Sequence, residues 1–303
     1  MNKFTRRALL SACMPLPALP ASVLPELVRF CASESLVSDI SINDARAAMA
    51  VWMRRIVQDL QLDVRTAPAV FEREDRILAK LRQGEVDLVA STLPEFRRLR
   101  DLLDSSQLVV PGQKTQLEYL LIVNAGSRIG SLADLRGRRL LSLHSPLTSV
   151  APAWLTTVLG AAGYDAPERF FGAMSTKSKP SQVILPVFFG QAEACLTTRS
   201  SFLTMSELNP QLPTRLQPLA VSPPIIPGVQ AFRKGYEGSG RNKVIQALSG
   251  LGSSASGRQV LTLFQVEDLT VKDVSHLKAS LDILARADQF ARPLRTAGKE
   301  GPQ

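Results

Sequence analysis

The sequence has few of the residues that usually carry metal or covalent chemistry. It contains two histidines and three cysteines in 303 residues. Cys13, Cys31 and Cys195 lie far apart and match no metal-binding spacing, so we expect buried free thiols at Cys31 and Cys195 in preference to a disulfide. His144 beside Ser145 could act as a base, but no orienting acid accompanies it. We therefore expect a protein that is not an enzyme and has no cofactor and no metal.

The sequence also has few aromatic residues, no block of basic residues and few long apolar runs. The net charge is +9, but the lysines and arginines are scattered, which argues against nucleic acid and leaves a mild bias toward anionic partners. Aromatic residues make up 6% of the chain, which weighs against a sugar ligand. No stretch beyond the N-terminal segment is apolar for long enough to span a membrane. The hydrophobic content of 45% suffices for a core, and the length suggests two domains or one large one.

The first 21 residues have the pattern of an export signal. Lys3, Arg6 and Arg7 precede an apolar region, and Leu19-Pro-Ala21 is an acceptable cleavage site. The two arginines also fit a twin-arginine signal, so export by either the Sec or the twin-arginine route is open. Lipid anchoring through Cys13 is the less favoured interpretation, because the apolar region before it is very short. We expect a soluble mature protein outside the cytoplasm.

The next segment alternates between strand and helix patterns. Strands are predicted at 27–32, 62–66 and 86–90, with helices from Asn43 or Asp44 to Leu60 and over 70–82. This β-α-β-α-β order implies a parallel sheet, whose ligands bind beyond the carboxyl ends of the strands. The polar residues at those ends are Ser33, Glu34, Ser35, Ser91 and Thr92.

A second β-α-β unit begins with the apolar strand 140–143. It continues through a polar turn into a helix and returns in a strand at 192–197. A strand that enters a helix through a Ser/Thr turn forms an anion site, although such residues also serve as simple helix caps. The candidates in the turn are Ser145, Thr148 and Ser149, and those at the end of the returning strand are Thr197 and Arg199.

Four stretches, in this order, resemble one known family. They are Leu81-Arg-Gln-Gly-Glu-Val-Asp-Leu88, the strand from Tyr119 with Ile129-Gly-Ser-Leu-Ala-Asp-Leu-Arg-Gly137, Phe189-Gly-Gln-Ala-Glu-Ala-Cys195, and Ala220-Val-Ser-Pro-Pro-Ile-Ile-Pro-Gly228. The chain thereby resembles the periplasmic substrate-binding proteins of ABC transporters, in the phosphate/phosphite/phosphonate-binding branch. The likeness extends over about residues 27–265.

The resemblance implies an α/β, two-lobe type 2 periplasmic-binding-protein fold. Each lobe has a mostly parallel sheet flanked by helices, and two crossing strands join the lobes. Lobe 1 would comprise 22–115 and 228–284, and lobe 2 would comprise 116–227. The signal peptide would occupy 1–21, and we expect a flexible tail over 285–303.

The resemblance also implies a function and a set of site residues. The protein would capture a small anionic solute, phosphonate- or phosphate-like, between its lobes in the periplasm and deliver it to an ABC permease. The alternative is a sensor of the same fold that signals to a membrane partner. We expect a monomer that binds no nucleic acid.

The predicted ligand-binding residues lie on both lobes. Glu118 would meet an amine on the ligand and Arg199 would add a charge-assisted bond, unless the two pair with each other. Three positions depart from the family pattern, because Leu147 replaces the first residue of a Ser-Thr-Ser run, Phe96 lacks a hydroxyl and Lys179 interrupts a Ser-His-Asp run. The full set is Ser33, Glu34, Ser35, Ser91, Thr92, Glu118, Tyr119, Ser145, Thr148, Ser149, Thr197 and Arg199.

Overall fold

The computed structural model describes residues 26–37, 41–59, 61, 64–67, 70–112 and 117–291. The predicted export signal and Cys13 lie outside the described residues. The strands are β1 Glu26–Val28, β2 Phe30–Ser33, β3 Val64–Thr66, β4 Val70–Glu72, β5 Leu88–Thr92, β6 Leu108–Gly112, β7 Tyr119–Asn124, β8 Arg139–Leu143, β9 Ala173–Lys177, β10 Ala194–Thr198, β11 Leu216–Val221, β12 Gly228–Phe232 and β13 Asp268–Lys272. The helices are α1 Ile42–Asp59, α2 Glu74–Gln83, α3 Leu93–Leu99, α4 Ala151–Ala161, α5 Pro167–Phe170, α6 Ser181–Phe188, α7 Arg199–Leu208, α8 Leu212–Arg215, α9 Arg241–Ser249, α10 Ala255–Leu263 and α11 Lys278–Ala291.

Lobe 1 is built on a six-stranded sheet in the order β13-β6-β12-β5-β2-β4. β2 is parallel to both β4 and β5, whereas β12 is antiparallel to β5 and β6. One face packs against α1, α9 and α10, and the other against α2 and α3, with Met49 and Leu261 on the first side and Ile77 and Phe96 on the second. Helices on both faces confirm the predicted α/β class.

Lobe 2 is built on a five-stranded sheet in the order β11-β7-β10-β8-β9. β8 is parallel to β9 and β10, and β7 is antiparallel to β10 and β11. The first five residues of β7 are buried, as expected for a strand with sheet neighbours on both sides and helices on both faces. Two lobes of this kind confirm the predicted two-lobe fold.

The chain passes from lobe 1 to lobe 2 between β6 and β7 and returns between β11 and β12. Residues 113–116 of the first crossing lie outside the described residues, and the second crossing is the connector 222–227. α11 makes the third link, because Arg97 of α3 pairs with Asp288 at 2.8 Å and the Ile226 N–H donates to Ser280 Oγ at 2.9 Å. α11 also packs against α4 of lobe 2. The predicted loose tail is therefore wrong for 285–291, which are helical, and 292–303 lie outside the described residues.

The start of α2 differs from its prediction. The helix was expected from Val70, but 70–72 form β4, which pairs parallel with β2, and α2 begins at Glu74. The extended Arg73 separates the two, and the acidic Glu74 and Asp75 favour a helix start at that point. The helix ends at Gly84, as predicted, in the left-handed conformation with φ +68°.

Other features differ from their prediction or were not predicted, because their sequences are polar or their pairing is distant. β3 pairs parallel with β1 in a separate two-stranded sheet, so the parallel neighbour of β2 is β4. Ser41 caps α1 in place of the predicted Asn43 or Asp44, since its Oγ accepts from the Asp44 N–H at 3.1 Å. β9 is an edge strand with four of its five residues exposed, and it lacks the apolar alternation that predicts a strand. Cys31 and Cys195 are buried free thiols, as predicted.

Candidate functional site

The end of the lobe 1 sheet and the polar turn of lobe 2 meet at Pro227. The Pro227 carbonyl accepts from the Leu93 N–H of lobe 1 at 2.7 Å and from the Ser149 hydroxyl of lobe 2 at 2.7 Å. Thr92 is the strand partner of Gly228. Because both lobes bind the same connector carbonyl, Ser149 and the Thr92 end of β5 come together at Pro227, and this lobe boundary is the candidate site.

The turn between β8 and α4 is held by its own threonine. Thr148 Oγ1 accepts from the Ser145 backbone N–H at 2.9 Å and donates to the Leu143 carbonyl at 2.9 Å. Thr148 is 5% exposed and Ser145 is 9% exposed. The hydroxyl that was predicted to bind an anion therefore fixes the turn that precedes α4, and Ser149 is the turn residue that reaches across the boundary.

Tyr119 lies behind the same turn. Its hydroxyl donates to the Leu147 carbonyl at 2.9 Å and receives a hydrogen bond from the Val150 N–H. The ring is fully buried and packs against Trp154, with 6.1 Å between ring centroids. Burial raises the pKa of Tyr119 far above its ordinary value, so the phenol is neutral. Tyr119 thus supports the start of α4 from inside the protein.

The lobe 1 side contains a buried carboxylate that the sequence analysis missed. Glu95 is 5% exposed, and its Oε1 accepts from Ser33 Oγ at 2.6 Å and from Ser35 Oγ at 2.9 Å. Its Oε2 accepts from the Thr92 N–H at 2.9 Å and from Thr92 Oγ1 at 2.8 Å. The local signal is Thr92-Leu-Pro-Glu95, a capping-box spacing at the start of α3. Three hydroxyls that were predicted to bind an external anion therefore bind the chain's own carboxylate.

Glu118 and Arg199 pair with each other across the entry to lobe 2. Their side chains form an ion pair, and the Arg199 backbone N–H donates to the Glu118 backbone carbonyl at 2.8 Å. The side chains are 22% and 40% exposed, respectively, so water screens the pair. The sequence left open whether Glu118 and Arg199 bind the ligand or each other, and in the structure they bind each other.

The remaining predicted residues make none of the side-chain contacts described above. Glu34 is half-buried in a 3-10 turn after β2. Ser91 Oγ and Thr197 Oγ1 are buried without a hydrogen-bond partner among the described residues, and they lie on different sheets. Thr197 is opposite Leu120 in the lobe 2 sheet, on the face that packs on the lobe 2 core. Phe96, a position of departure from the family pattern, is fully buried in the core.

The described residues offer little for catalysis or metal binding. His144 is exposed. Its backbone N–H donates to the Lys177 carbonyl at 2.8 Å and extends the pairing of β8 with β9. Within the described ranges, no group of three or more His, Cys, Asp or Glu side chains could hold a metal ion. In the same ranges no helix is both long enough and apolar enough to cross a bilayer.

Three solved structures share the two-lobe fold with this chain. XAC2383 from Xanthomonas citri bound to ATP is 14% identical, with a TM-score of 0.62, over 88% of this chain and 98% of that one. PhnD1 from Prochlorococcus marinus in complex with methylphosphonate is 16% identical, with a TM-score of 0.58, over 88% of this chain and 99% of that one. The aliphatic sulphonate-binding protein SsuA from Escherichia coli is 16% identical, with a TM-score of 0.52, over 88% of this chain and 87% of that one. At such low identity these similarities show the fold alone.

Sequence comparison identifies the family. A search of curated protein sequences found no match. The family model described as "ABC transporter, phosphonate, periplasmic substrate-binding protein" matches residues 36–277, which is most of the chain. This family is periplasmic, and its members bind small anionic solutes and work with ABC transporter permeases. The chain therefore belongs to the phosphonate-type periplasmic substrate-binding proteins of ABC transporters.

Proposed function

We propose that this protein captures a small anionic solute between its two lobes in the periplasm and delivers it to an ABC permease. The observation that carries the proposal is the convergence of the lobes at Pro227, where Leu93 of lobe 1 and Ser149 of lobe 2 bind the same carbonyl. A solute held there would touch both lobes, so its binding would favour the closed arrangement. The phosphonate or sulfonate class is supported by family membership and by the positive net charge.

The hydrogen bonds at the boundary set a condition on solute binding. Ser33, Ser35 and Thr92 already donate to Glu95, and Ser149 already donates to Pro227. An anion must compete with these bonds, and it would be repelled by the Glu95 carboxylate. The lobe 2 turn, where Ser149 can exchange one oxygen acceptor for another, is therefore the better anion contact.

Glu95 also gives a reason to keep the sensor as the second candidate. A carboxylate bound to three hydroxyls can hold lobe 1 in its observed shape without any solute. A protein of this fold whose candidate site hydroxyls are already bound to its own carboxylate could report to a membrane partner instead of supplying a permease.

A ligand panel tests the proposed function. The full chain would be melted with phosphate, phosphite, alkylphosphonates, sulfate and alkylsulfonates. A ligand that binds only the folded state raises its stability by about 2.7 kcal/mol at a hundredfold excess over Kd. A rise with one anion class supports the proposal, and no rise with any of them rejects an anionic solute.

Variants of the turn show where the anion binds. Ser149→Ala should weaken binding of the active anion at least fivefold, because about 1 kcal/mol of hydrogen bonding is lost. Ser206→Ala is the control, since Ser206 Oγ donates at 2.8 Å to the Phe202 carbonyl within α7 and does not reach the boundary. Equal affinities in both variants would remove the turn from the site.

A further inference from the structure

Lobe 1 contains an apolar cavity that borders the proposed solute site at Pro227 and extends away from it into the lobe. It lies between the sheet and the helices α1, α9 and α10 and has a volume of about 140 Å³. Its walls include Met49 and Met53 from α1, Ala247 from α9 and Leu261 from α10. At the lobe boundary the lining includes Leu147 of lobe 2. The cavity is therefore a partly open pocket of lobe 1 that extends to the place where the lobes meet.

A ligand in this pocket would gain contacts with its apolar walls. Protein interiors pack as densely as organic crystals, and side chains that face a void lose both dispersion contacts and the benefit of burial. An apolar cavity of about 150 Å³ is large enough to bind a single aromatic ring. The size therefore suits a ligand of about one ring or a short alkyl chain.

One wall of the cavity carries an unused hydrogen-bond acceptor. Gln230 of β12 pairs in register with Ala90 and Val109, two cavity-lining residues, so its side chain shares their face of the sheet. Its Oε1 is buried and has no hydrogen-bond partner in the described part of the chain. A buried acceptor without a partner is costly, and a ligand with an O–H or N–H group would remove that cost.

The other lining residues limit the charge of the ligand. None of the described residues that line the cavity is charged. Bringing an ion into such surroundings would cost far more than one hydrogen bond returns. The occupant should therefore be neutral.

From these features we infer that the lobe 1 cavity binds a small neutral molecule that is mostly apolar, about the size of one aromatic ring, and donates a hydrogen bond to Gln230 Oε1. Phenol has this chemistry. Toluene has nearly the same shape and lacks the donor, so the two probes separate the apolar contribution from the hydrogen bond. The inference goes beyond the anionic solute proposed above and does not depend on it.

Methionine methyl signals test the inference in the unmodified protein. The full chain would be labelled with methyl-¹³C methionine and titrated with phenol. Met49 and Met53 line the cavity, whereas Met174 on the exposed strand β9 and Met205 in lobe 2 do not. Saturable shifts of Met49 and Met53 alone are expected. Unchanged signals for both, or equal shifts of all four, would overturn the proposal whatever the anion panel shows.

Two variants test the recognition chemistry. Gln230→Met keeps the length of the side chain and removes the acceptor, so phenol affinity should fall at least fivefold while toluene affinity does not fall. Gln217→Met, at an exposed position of β11, is the matched control and should change neither. Ala247→Phe should fill the cavity and abolish binding of both probes. An equal loss of both probes in Gln230→Met would reject the hydrogen bond to Gln230.

Discussion

The Ser149 hydroxyl donates to the Pro227 carbonyl at 2.7 Å, across a separation of 78 residues in the sequence. Ser149 belongs to the turn before α4 in lobe 2, and Pro227 ends the connector that returns to lobe 1. The same carbonyl accepts from the Leu93 N–H, the first residue of α3. A single oxygen thus joins lobe 2, the connector and lobe 1, so the observed arrangement of the lobes depends partly on this contact.

Removing the hydroxyl should loosen the lobes. Ser149→Ala leaves the Leu93 contact in place and loses one hydrogen bond, so we expect about 1 kcal/mol less stability for the observed arrangement of the lobes. Small-angle X-ray scattering should then give a larger radius of gyration for the unliganded variant. Ser206→Ala provides the comparison, because its hydrogen bond lies within α7. A radius of gyration equal to that of the wild type would show that this contact does not hold the lobes together.

The Glu95 cluster should contribute to the stability of lobe 1. Glu95→Gln removes the negative charge of the acceptor and leaves one oxygen where there were two, so the hydrogen bonds from Ser33, Ser35 and Thr92 are no longer made to a charged group. We expect a loss of about 1.5–3 kcal/mol in the free energy of unfolding, measured by urea denaturation. Glu85→Gln serves as the control, since Glu85 is 54% exposed and contacts Lys80 at 3.6 Å. A difference below 0.5 kcal/mol between the two variants, a limit typical of surface substitutions, would contradict the structural role.

The elements with strong local signals could be predicted from the sequence. The end of α2 at Gly84 follows from the glycine, and β7 and β8 follow from short apolar runs. β9 could not be predicted, because an exposed edge strand needs no apolar side chains and is fixed by its neighbour β8. The start of α2 was misplaced because the apolar residues of β4 extend the helical pattern backwards.

The sequence placed the candidate residues at the ends of strands but gave only part of their contacts. The ends of the strands follow from their order, so Ser33, Thr92 and Ser149 were placed at one boundary. Their partners depend on how distant segments meet, as with Ser33 and Glu95, which are 62 residues apart. Of these contacts, only the cap between Thr92 and Glu95 is local, and its spacing is visible in the sequence.

The packing of α11 on α4 can be tested at one close approach. A Cβ added to Gly160 would lie 2.3 Å from the Phe290 ring, so Gly160→Ala should force that ring away. We expect this variant to gain none of the roughly 1 kcal/mol that alanine normally provides over glycine in a helix. In a Phe290→Ala background the same change should be stabilising. Thermal unfolding of the wild type, the two single variants and the double variant gives the coupling energy between Gly160 and Phe290. Additive effects would mean that α11 does not dock on α4 as observed.

The ion pair between Asp104 and Arg241 should make stability depend on pH. Burial alone would raise the pKa of Asp104, but hydrogen bonds from Ser106 and Arg241 outweigh it and lower the pKa from 3.8 to about 2. A carboxyl group with a lowered pKa in the folded state adds stability above its unfolded pKa, and that stability is lost as the pH falls through the folded value. The contribution should therefore be complete at pH 7 and decline from about pH 5 toward pH 2.

Asp104→Asn removes this contribution. With side chains 25% and 17% exposed, the pair should be worth about 1–2 kcal/mol at pH 7 after allowance for solvent screening. Urea denaturation at pH 7, 5, 4 and 3 should show the difference between wild type and variant shrinking as the pH falls. Asp101→Asn, at an exposed position in the same segment, should match the wild type at every pH. A difference for Asp104→Asn that stays constant with pH would mean that the loss comes from packing, because only an ionising carboxylate can make it vary.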